Sequence, residues 1–580
     1  MHRWSRRTPL ALLVLLLVTI VLLPVSSSGA VLRAQPATPA AVSRGSGSSS
    51  ITREQFRQQL LSQFPMQQPA RQGGQVILGE STDISTLNGI LSSDFPTFYV
   101  TGAIYEALVS GSPIDGSIVP GLADSWDVAA DGITYTFHLN KQAAWHDGID
   151  LTADDVLFSF QSVLDPNTGS FYSTTVNDAV ASVRAIDPDT VEIVARDKLV
   201  SFLYDGPGTV LIMPKHLWQD VGTESWSIDP GSTGQDPNRV VGTGPFRFKE
   251  WVYGDHVTLI RNDAYYDQVP TIDEFILRVL PDENAATQAL IAGETDVLEI
   301  IPPGQVENVR NTGEHQVDVY DLLSSTFYAY NVDPEKTLLF QDQRVRQALF
   351  QALDRRAITD TIFLGYGEVA IGPQPKLSPA YAPDRMTAQY PFDAEQAKQL
   401  LAAAGWTDSD DDGLVDKDGT KLEFTLLLGE GGSTVEQLAT YMQQAWSEIG
   451  VKVKVDLVPG GTLLEALDAR EFDIALIAFN FGPDGSQGAL FTCDAYETGF
   501  NFSRYCNPGY DALDQQQKRE FDPAQRNDLL IEQSNLVWND LPVGMIRFGV
   551  GRTGYTTRLH NFYPNGYAFL WSLPWVWLEE

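Results

Sequence analysis

Cysteine is almost missing from this chain: Cys493 and Cys506 are the only two in 580 residues. A small scaffold stapled by several disulfides is excluded, and a zinc centre built on this pair would lack its other ligands. Histidine is scarce as well, seven copies placed singly with His138 and His146 the nearest neighbours, so the spacing indicates no histidine-bound metal. No G-x-x-x-x-G-K-[ST] loop, G-x-S-x-G elbow or H-E-x-x-H pair occurs, which removes the usual marks of nucleotide, ester and zinc-peptidase chemistry. Basic residues are few, 39 Lys and Arg against 75 Asp and Glu, for a formal net charge of −36. A phosphate backbone is held by clustered cations, so nucleic acid is not an expected partner. Long apolar runs are limited to one near the start, Leu10 to Leu23.

What is present fits an ordinary globular protein, 43% hydrophobic and 11% aromatic, in a chain long enough for two or three domains. Arg3, Arg6 and Arg7 precede the apolar run, and small residues follow it, with Ser28 and Ala30 suited to the −3 and −1 positions of cleavage. That order reads 1–30 as a secretory signal or an uncleaved membrane tether. No cysteine follows the run to carry a lipid. The Pro, Ala, Ser and Gly of QPATPAAVSRGSGSSS begin a flexible linker, set at 31–74. A signal implies an oxidising compartment, where Cys493 and Cys506 would form a disulfide; a metal pair and a catalytic thiol are the rival readings.

Hydrophobic period is clearest in the second half. DAEQAKQLLAAAG offers Asp393 as N-cap, Ala397, Leu400, Leu401 and Ala404 on one face, and Gly405 as the stop. KLEFTLLLG then reads as a strand. STVEQLATYMQQAWSEIG opens on a capping box of Ser433 and Glu436 and carries Val435, Leu438, Met442, Ala445 and Ile449 at helical spacing. VKVKVDLV alternates as a strand, TLLEALDARE is a short helix, and FDIALIAFNF is a strand buried on both faces. Strands alternating with helices across short connections predict a parallel α/β layer, which binds ligands beyond the carboxyl ends of its strands. The rule points at 429–433, 459–461 and 480–485. In the first half, TYTFHLN and DTVEIVAR read as strands and Thr152 caps a helix with Asp155. GTGPF leads into strand-like RFKEWVY, so it does not cradle phosphate, and His146 reads as a structural hydrogen-bonding group.

Several segments together resemble a known family. The block PGLADSWDVAADGITYTFHLNKQAAWHDGIDLTADDVLFSF, Pro120 to Phe160, is followed in order by VVGTGPFRFKEWVYGDHVTLIRNDAYY, ALIAGETDV, FYAYNVD with QDQRVRQALFQALDR, and NFSRYCNPGYDALD. These are similar to the extracytoplasmic solute-binding proteins of peptide- and nickel-type ABC importers, over roughly 75–550. The resemblance implies an α/β, two-lobed, periplasmic-binding-protein-like fold of the class II type, with mixed sheets and an extra subdomain. Lobe I would span 75–325 with the subdomain at about 115–235, lobe II 326–545, and 546–580 would return to lobe I. It also implies capture of an oligopeptide or other small polar solute in an interlobe cleft, delivery to permease subunits served by a separate ATPase, no covalent chemistry, a monomer, and an extracytoplasmic location. A secreted hydrolase on a modified binding fold, or a sensor or chaperone without a transport role, are the alternatives.

For the pocket, the expected residues are Tyr328, Tyr330 and Asn331 near the crossover and Phe479, Asn480, Phe481 and Asp484 at the strand end, with Asp83 and Tyr105 from lobe I. In the family's oligopeptide binders an aspartate after the buried strand anchors the amino terminus; the corresponding place here reads AFNFGPDGSQ. One stretch stands apart, DSDDDGLVDKDG. Asp408, Asp410 and Asp412 fit positions one, three and five of a calcium loop, Gly413 the turn, Leu414 a carbonyl ligand and Asp416 position nine, but Gly419 stands where a bidentate Glu belongs. A structural calcium completed from elsewhere and a metal-free acidic turn are the two readings, and no cofactor is required. Lying between a helix end and a strand start, the stretch belongs on the side away from the cleft.

Overall fold

The computed structural model describes residues 51–430 and 432–579. The signal or tether reading of 1–30 lies outside the described residues, as does the linker up to residue 50. Within the segment read as linker, however, Arg53–Gln63 is a helix with a capping box between Thr52 and Gln55. Arg53 fastens it to the body through Asp124 at 3.2 Å and Asp267 at 3.0 Å. The linker reading is therefore corrected for these residues: a cap and two long-range ion pairs order a sequence that has little apolar periodicity of its own.

One mixed sheet runs through the whole molecule. Its order is Lys452–Val458, Glu423–Gly429, Ile474–Asn480, His315–Tyr330, Val543–Thr556, Val297–Leu298, Gln75–Glu80, Glu274–Val279, His256–Arg261 and Phe246–Val252, with Glu368–Val369 also paired to Val543–Thr556. The first three strands are parallel to one another, as their hydrophobic pattern predicts. The next two, His315–Tyr330 and Val543–Thr556, are long and antiparallel and carry the chain from one lobe to the other and back.

Two large apolar cores flank the crossing. The lobe II core gathers residues from Phe327 to Phe548, including Trp446, Leu401 and Trp538. The lobe I core joins Leu78, Trp145 and Phe275 to a distant set, Tyr555, Phe562, Phe569 and Val576, from the end of the chain. A four-stranded antiparallel sheet, ordered Ala123–Val128, Thr134–Leu139, Thr190–Ala195 and Val180–Asp187, forms the subdomain attached to lobe I.

Local signals account for most element ends. Asp393 caps the helix Ala394–Ala403 by accepting from the Gln396 N–H, and the chain then turns through Gly405 at φ 89°. Thr152 and Asp155 form their expected box. Ser433 is expected as the N-cap, but the helix is Ser433–Ser447 and its N-cap is Gly432 at φ 79°. The preceding glycine takes the sharp turn out of the strand, which moves the helix start one residue earlier than a serine cap requires. His146 accepts from the Gly242 N–H at 3.2 Å and lies 3.0 Å from the Gly244 carbonyl, so it fastens the GTGPF turn.

Candidate ligand-binding site

Where the crossing strands pass between the lobes they enclose a cavity of about 140 Å³. Tyr320, Ser324, Ser325 and Thr326 come from the first crossing strand, and Arg547 and Arg552 from the second. Glu299 adds a wall from lobe I, while Thr434 and Ala478 add walls from lobe II. Register irregularities between Asp321 and Ser325, and between Thr326 and Phe327, turn consecutive residues toward the cavity that a regular strand would place on opposite faces. Gly549 faces Ser324, whose Oγ would lie 2.0 Å from a Cβ at that position, so a larger residue there would turn the Ser324 hydroxyl away.

Several polar groups around the cavity have no partner. The Ser325 and Thr434 hydroxyls and the Arg547 Nε are buried without a hydrogen bond. Leaving a buried donor unmet costs about 1–3 kcal/mol, and more when it is charged, so three together mark a place where a ligand supplies acceptors. Arg547 is otherwise held by the Tyr366 carbonyl at 2.7 Å and by the Phe363 ring at 4.1 Å. Burial, then the like charge of Arg552, lowers its pKa. Arg552 donates to the carbonyls of Ile301 and Val550 and also feels the charge of Glu283.

On the lobe I side, Tyr99 donates to Glu299 at 2.7 Å, and Glu80 lies beside the same carboxylate. Burial, then repulsion from Glu299, pushes Glu80 well above the usual carboxylate range. The lining thus offers a carboxylate and a pair of guanidinium groups to one small space.

The residues expected from the sequence are dispersed. Tyr328 and Tyr330 are buried in the lobe II core, Tyr330 donating to Tyr328 at 3.2 Å and to the Arg346 carbonyl at 2.8 Å. Asn331 donates to the carbonyls of Arg470 and Phe472. Phe479 packs against Phe481 and Phe500, Asn480 is exposed beyond Ala478 on the same strand face, and Asp484 pairs with Arg526 at 2.8 Å. Asp83 accepts from the Trp251 indole and the Gly254 N–H. Tyr105 lines a different cavity, inside lobe I. None of these nine lines the interlobe cavity.

The acidic turn is remote from it. Val415 donates to the Gly450 carbonyl, just before the strand Lys452–Val458, which places the turn at the amino-terminal edge of the parallel strands. The carboxylates of Asp408, Asp410 and Asp412 face one another within 4.8 Å, and Lys421 pairs with Asp410 and Asp412. Asp408 accepts from the N–H groups of Asp412 and Gly413, and Asp416 from Ser409, so two of the expected ligands act within the turn. Cys493 and Cys506 are joined in a disulfide.

Residues 117–499, more than half the chain, match the family model described as bacterial extracellular solute-binding proteins, family 5 Middle. The chain belongs to that family. Among relatives of this family 5 solute-binding protein, the oligopeptide-binding protein AppA of Bacillus subtilis is 28% identical over 88% of this chain and 92% of its own. The di/tripeptide-binding protein 4 of Pseudomonas aeruginosa is 30% identical over 80% of this chain and 86% of its own. The structure of B. subtilis AppA in complex with a nonapeptide aligns with a TM-score of 0.77, at 27% identity, over 88% of this chain and all of that one. NikZ from Campylobacter jejuni in complex with Ni(L-His) aligns with a TM-score of 0.72 over 87% of this chain and 99% of its own; at 24% identity the likeness is one of fold. The two-lobed architecture is thus that of this family 5 protein's structural neighbours.

Two signals in the sequence point to the cavity residues that were missed. Arg547 and Arg552 interrupt the otherwise uncharged PVGMIRFGVGRTGY, and a charge inside a buried strand is rare without a purpose. Thr434 and Ala478 lie within two residues of the segments 429–433 and 480–485 to which the parallel-sheet rule already pointed.

Proposed function

We propose that this solute-binding protein captures a small zwitterionic solute, a di- or tripeptide in the first place, and presents it to the permease of an ABC importer. The observation that carries the reading is the buried and unpartnered Arg547 Nε, which with the Ser325 and Thr434 hydroxyls suits a carboxylate. Glu299 in the same lining suits an ammonium group. Size supports a short ligand, since about 140 Å³ is well below the roughly 300–1,000 Å³ of pockets for drug-sized molecules. Peptide binding by relatives such as the P. aeruginosa di/tripeptide-binding protein 4 is consistent with that choice.

The lobes already touch one another away from the cavity lining. Val200 donates to the Lys518 carbonyl at 2.9 Å, Lys198 lies over the Phe521 ring, and Tyr567 donates to the Leu377 carbonyl. A ligand that bridges Glu299 of lobe I and Thr434 of lobe II favours this arrangement by its differential affinity for it. The protein works outside the cytoplasm as a monomer, released after cleavage or held by its N-terminal segment, and binds its ligand without turning it over.

Isothermal titration tests the reading on the mature protein, with a tripeptide, a nonapeptide and the Arg547→Gln variant. The tripeptide should bind more tightly than the nonapeptide. The variant, with an unchanged circular dichroism spectrum, should bind it roughly thirtyfold or more weakly, about 2 kcal/mol at the low end for truncating one side of a buried charged contact. Equal tripeptide affinity in the two proteins, or preference for the nonapeptide, overturns it.

A further inference from the structure

Lobe I encloses a second and larger cavity, about 560 Å³, to which lobe II contributes no residue. Its roof is the helix Arg53–Gln63, through Phe56 and Leu60, and its walls include Phe98, Phe246, Phe569 and Leu573. The volume falls within the roughly 300–1,000 Å³ usual for a small-molecule site.

Three features specify what such a molecule would be. First, Tyr105 lines the cavity with a side chain only 1% exposed, and its hydroxyl has no hydrogen-bond partner. An enclosed donor left unmet calls for an acceptor from a guest. Second, the charged groups at the polar end are already engaged. Glu106 accepts from Tyr265 at 2.9 Å, Tyr266 at 2.8 Å and Thr243 at 2.9 Å, and Arg53 lies close by, itself paired with Asp124 and Asp267. An anionic guest would meet no free cation there, and a cationic one would find the Glu106 oxygens taken by three hydroxyls. Third, Gly102 lies inside the helix Phe95–Ile104, where glycine costs about 1 kcal/mol relative to alanine, yet a Cβ at this position would meet nothing within 4 Å. Packing does not demand it. Gly102 is exposed to solvent and also lines the cavity, so it keeps an entrance clear.

We propose that this cavity is a second binding site, separate from the interlobe one, for a neutral and largely apolar small molecule that carries one hydrogen-bond acceptor for the Tyr105 hydroxyl. The proposal is independent of the solute reading above.

A neutral fluorescent ketone, 6-propionyl-2-dimethylaminonaphthalene, tests it on the mature protein. It should bind with saturable, one-to-one stoichiometry and a blue-shifted emission. Gly102→Leu, which favours the helix and fills the entrance, should weaken binding at least tenfold while the melting temperature stays level or rises. Tyr105→Phe should weaken it about two- to tenfold, the share of one net hydrogen bond. Arg547→Gln should leave it unchanged. Absence of saturable binding to the parent protein, or an affinity unaltered by both Gly102→Leu and Tyr105→Phe, overturns the proposal.

Discussion

Lys421 brings its ammonium group to 2.6 Å from Asp410, 2.9 Å from Asp412 and 3.7 Å from Asp416. The hydrogen bonds to Asp410 and then Asp412 hold its pKa above the ordinary lysine range, and the same contacts lower that of Asp412. An internal cation thus stands among the carboxylates that a calcium ion would need, and calcium has to compete with it. Lys421→Gln should lower the melting temperature by exposing the aspartates to one another, and millimolar calcium should restore it. The parent protein, followed by the same thermal scan, should respond to calcium much less. The density of aspartates was legible in the sequence as a cation site. The lysine's part was not, because its approach depends on the small hairpin of Asp416–Lys417 and Thr420–Lys421. Arg547 tells the opposite story: its charge in an apolar strand is visible in the sequence, but that its Nε lacks a partner only appears once its neighbours are placed.

At the scale of elements, the crossing strands depend on a few close approaches. Gly544 faces Tyr328, whose ring carbon would lie 2.1 Å from a Cβ at that position. Tyr328 cannot swing away, because Trp446 and Tyr330 hold its other faces at ring-centre distances of 5.5 and 5.2 Å. Gly544→Ala should therefore destabilise lobe II by about 1–3 kcal/mol, the range for overpacking a filled core, seen as a lower midpoint of urea unfolding. Helices and strands between Asp393 and Asn480 could be read ahead because their period is local and complete within a few turns. The strand His315–Tyr330 resisted, since its burial alternates irregularly as it leaves one lobe for the other. The aromatic pair Tyr328 and Tyr330 was expected to wall the cleft, but the strand's far end has by then entered the lobe II core, and the polar Ser324 to Thr326 occupy the crossing itself.

On the scale of the whole molecule, the two-lobed plan was not derivable from period or composition; it came through resemblance, because strands distant in sequence share one sheet. Lobe I illustrates the difficulty. It is built from two ends of the chain, with Phe562, Phe569, Leu573 and Val576 packed against residues from the first half. Removing 557–580 should deprive lobe I of these and of Leu559, five buried apolar side chains at about 1.5–3 kcal/mol each, a sum comparable to the whole stability of a typical domain. Limited proteolysis of that truncated protein should degrade lobe I and leave a resistant fragment close to 324–548, whereas both lobes of the full chain should resist. The same arrangement sets a schedule. Lobe II is one unbroken run of chain and can finish folding as soon as it has emerged, but lobe I, begun first, has to wait for the last residues to arrive. The first half of the protein is thus the last to mature, and for as long as its apolar faces stay open, it remains a threadable chain.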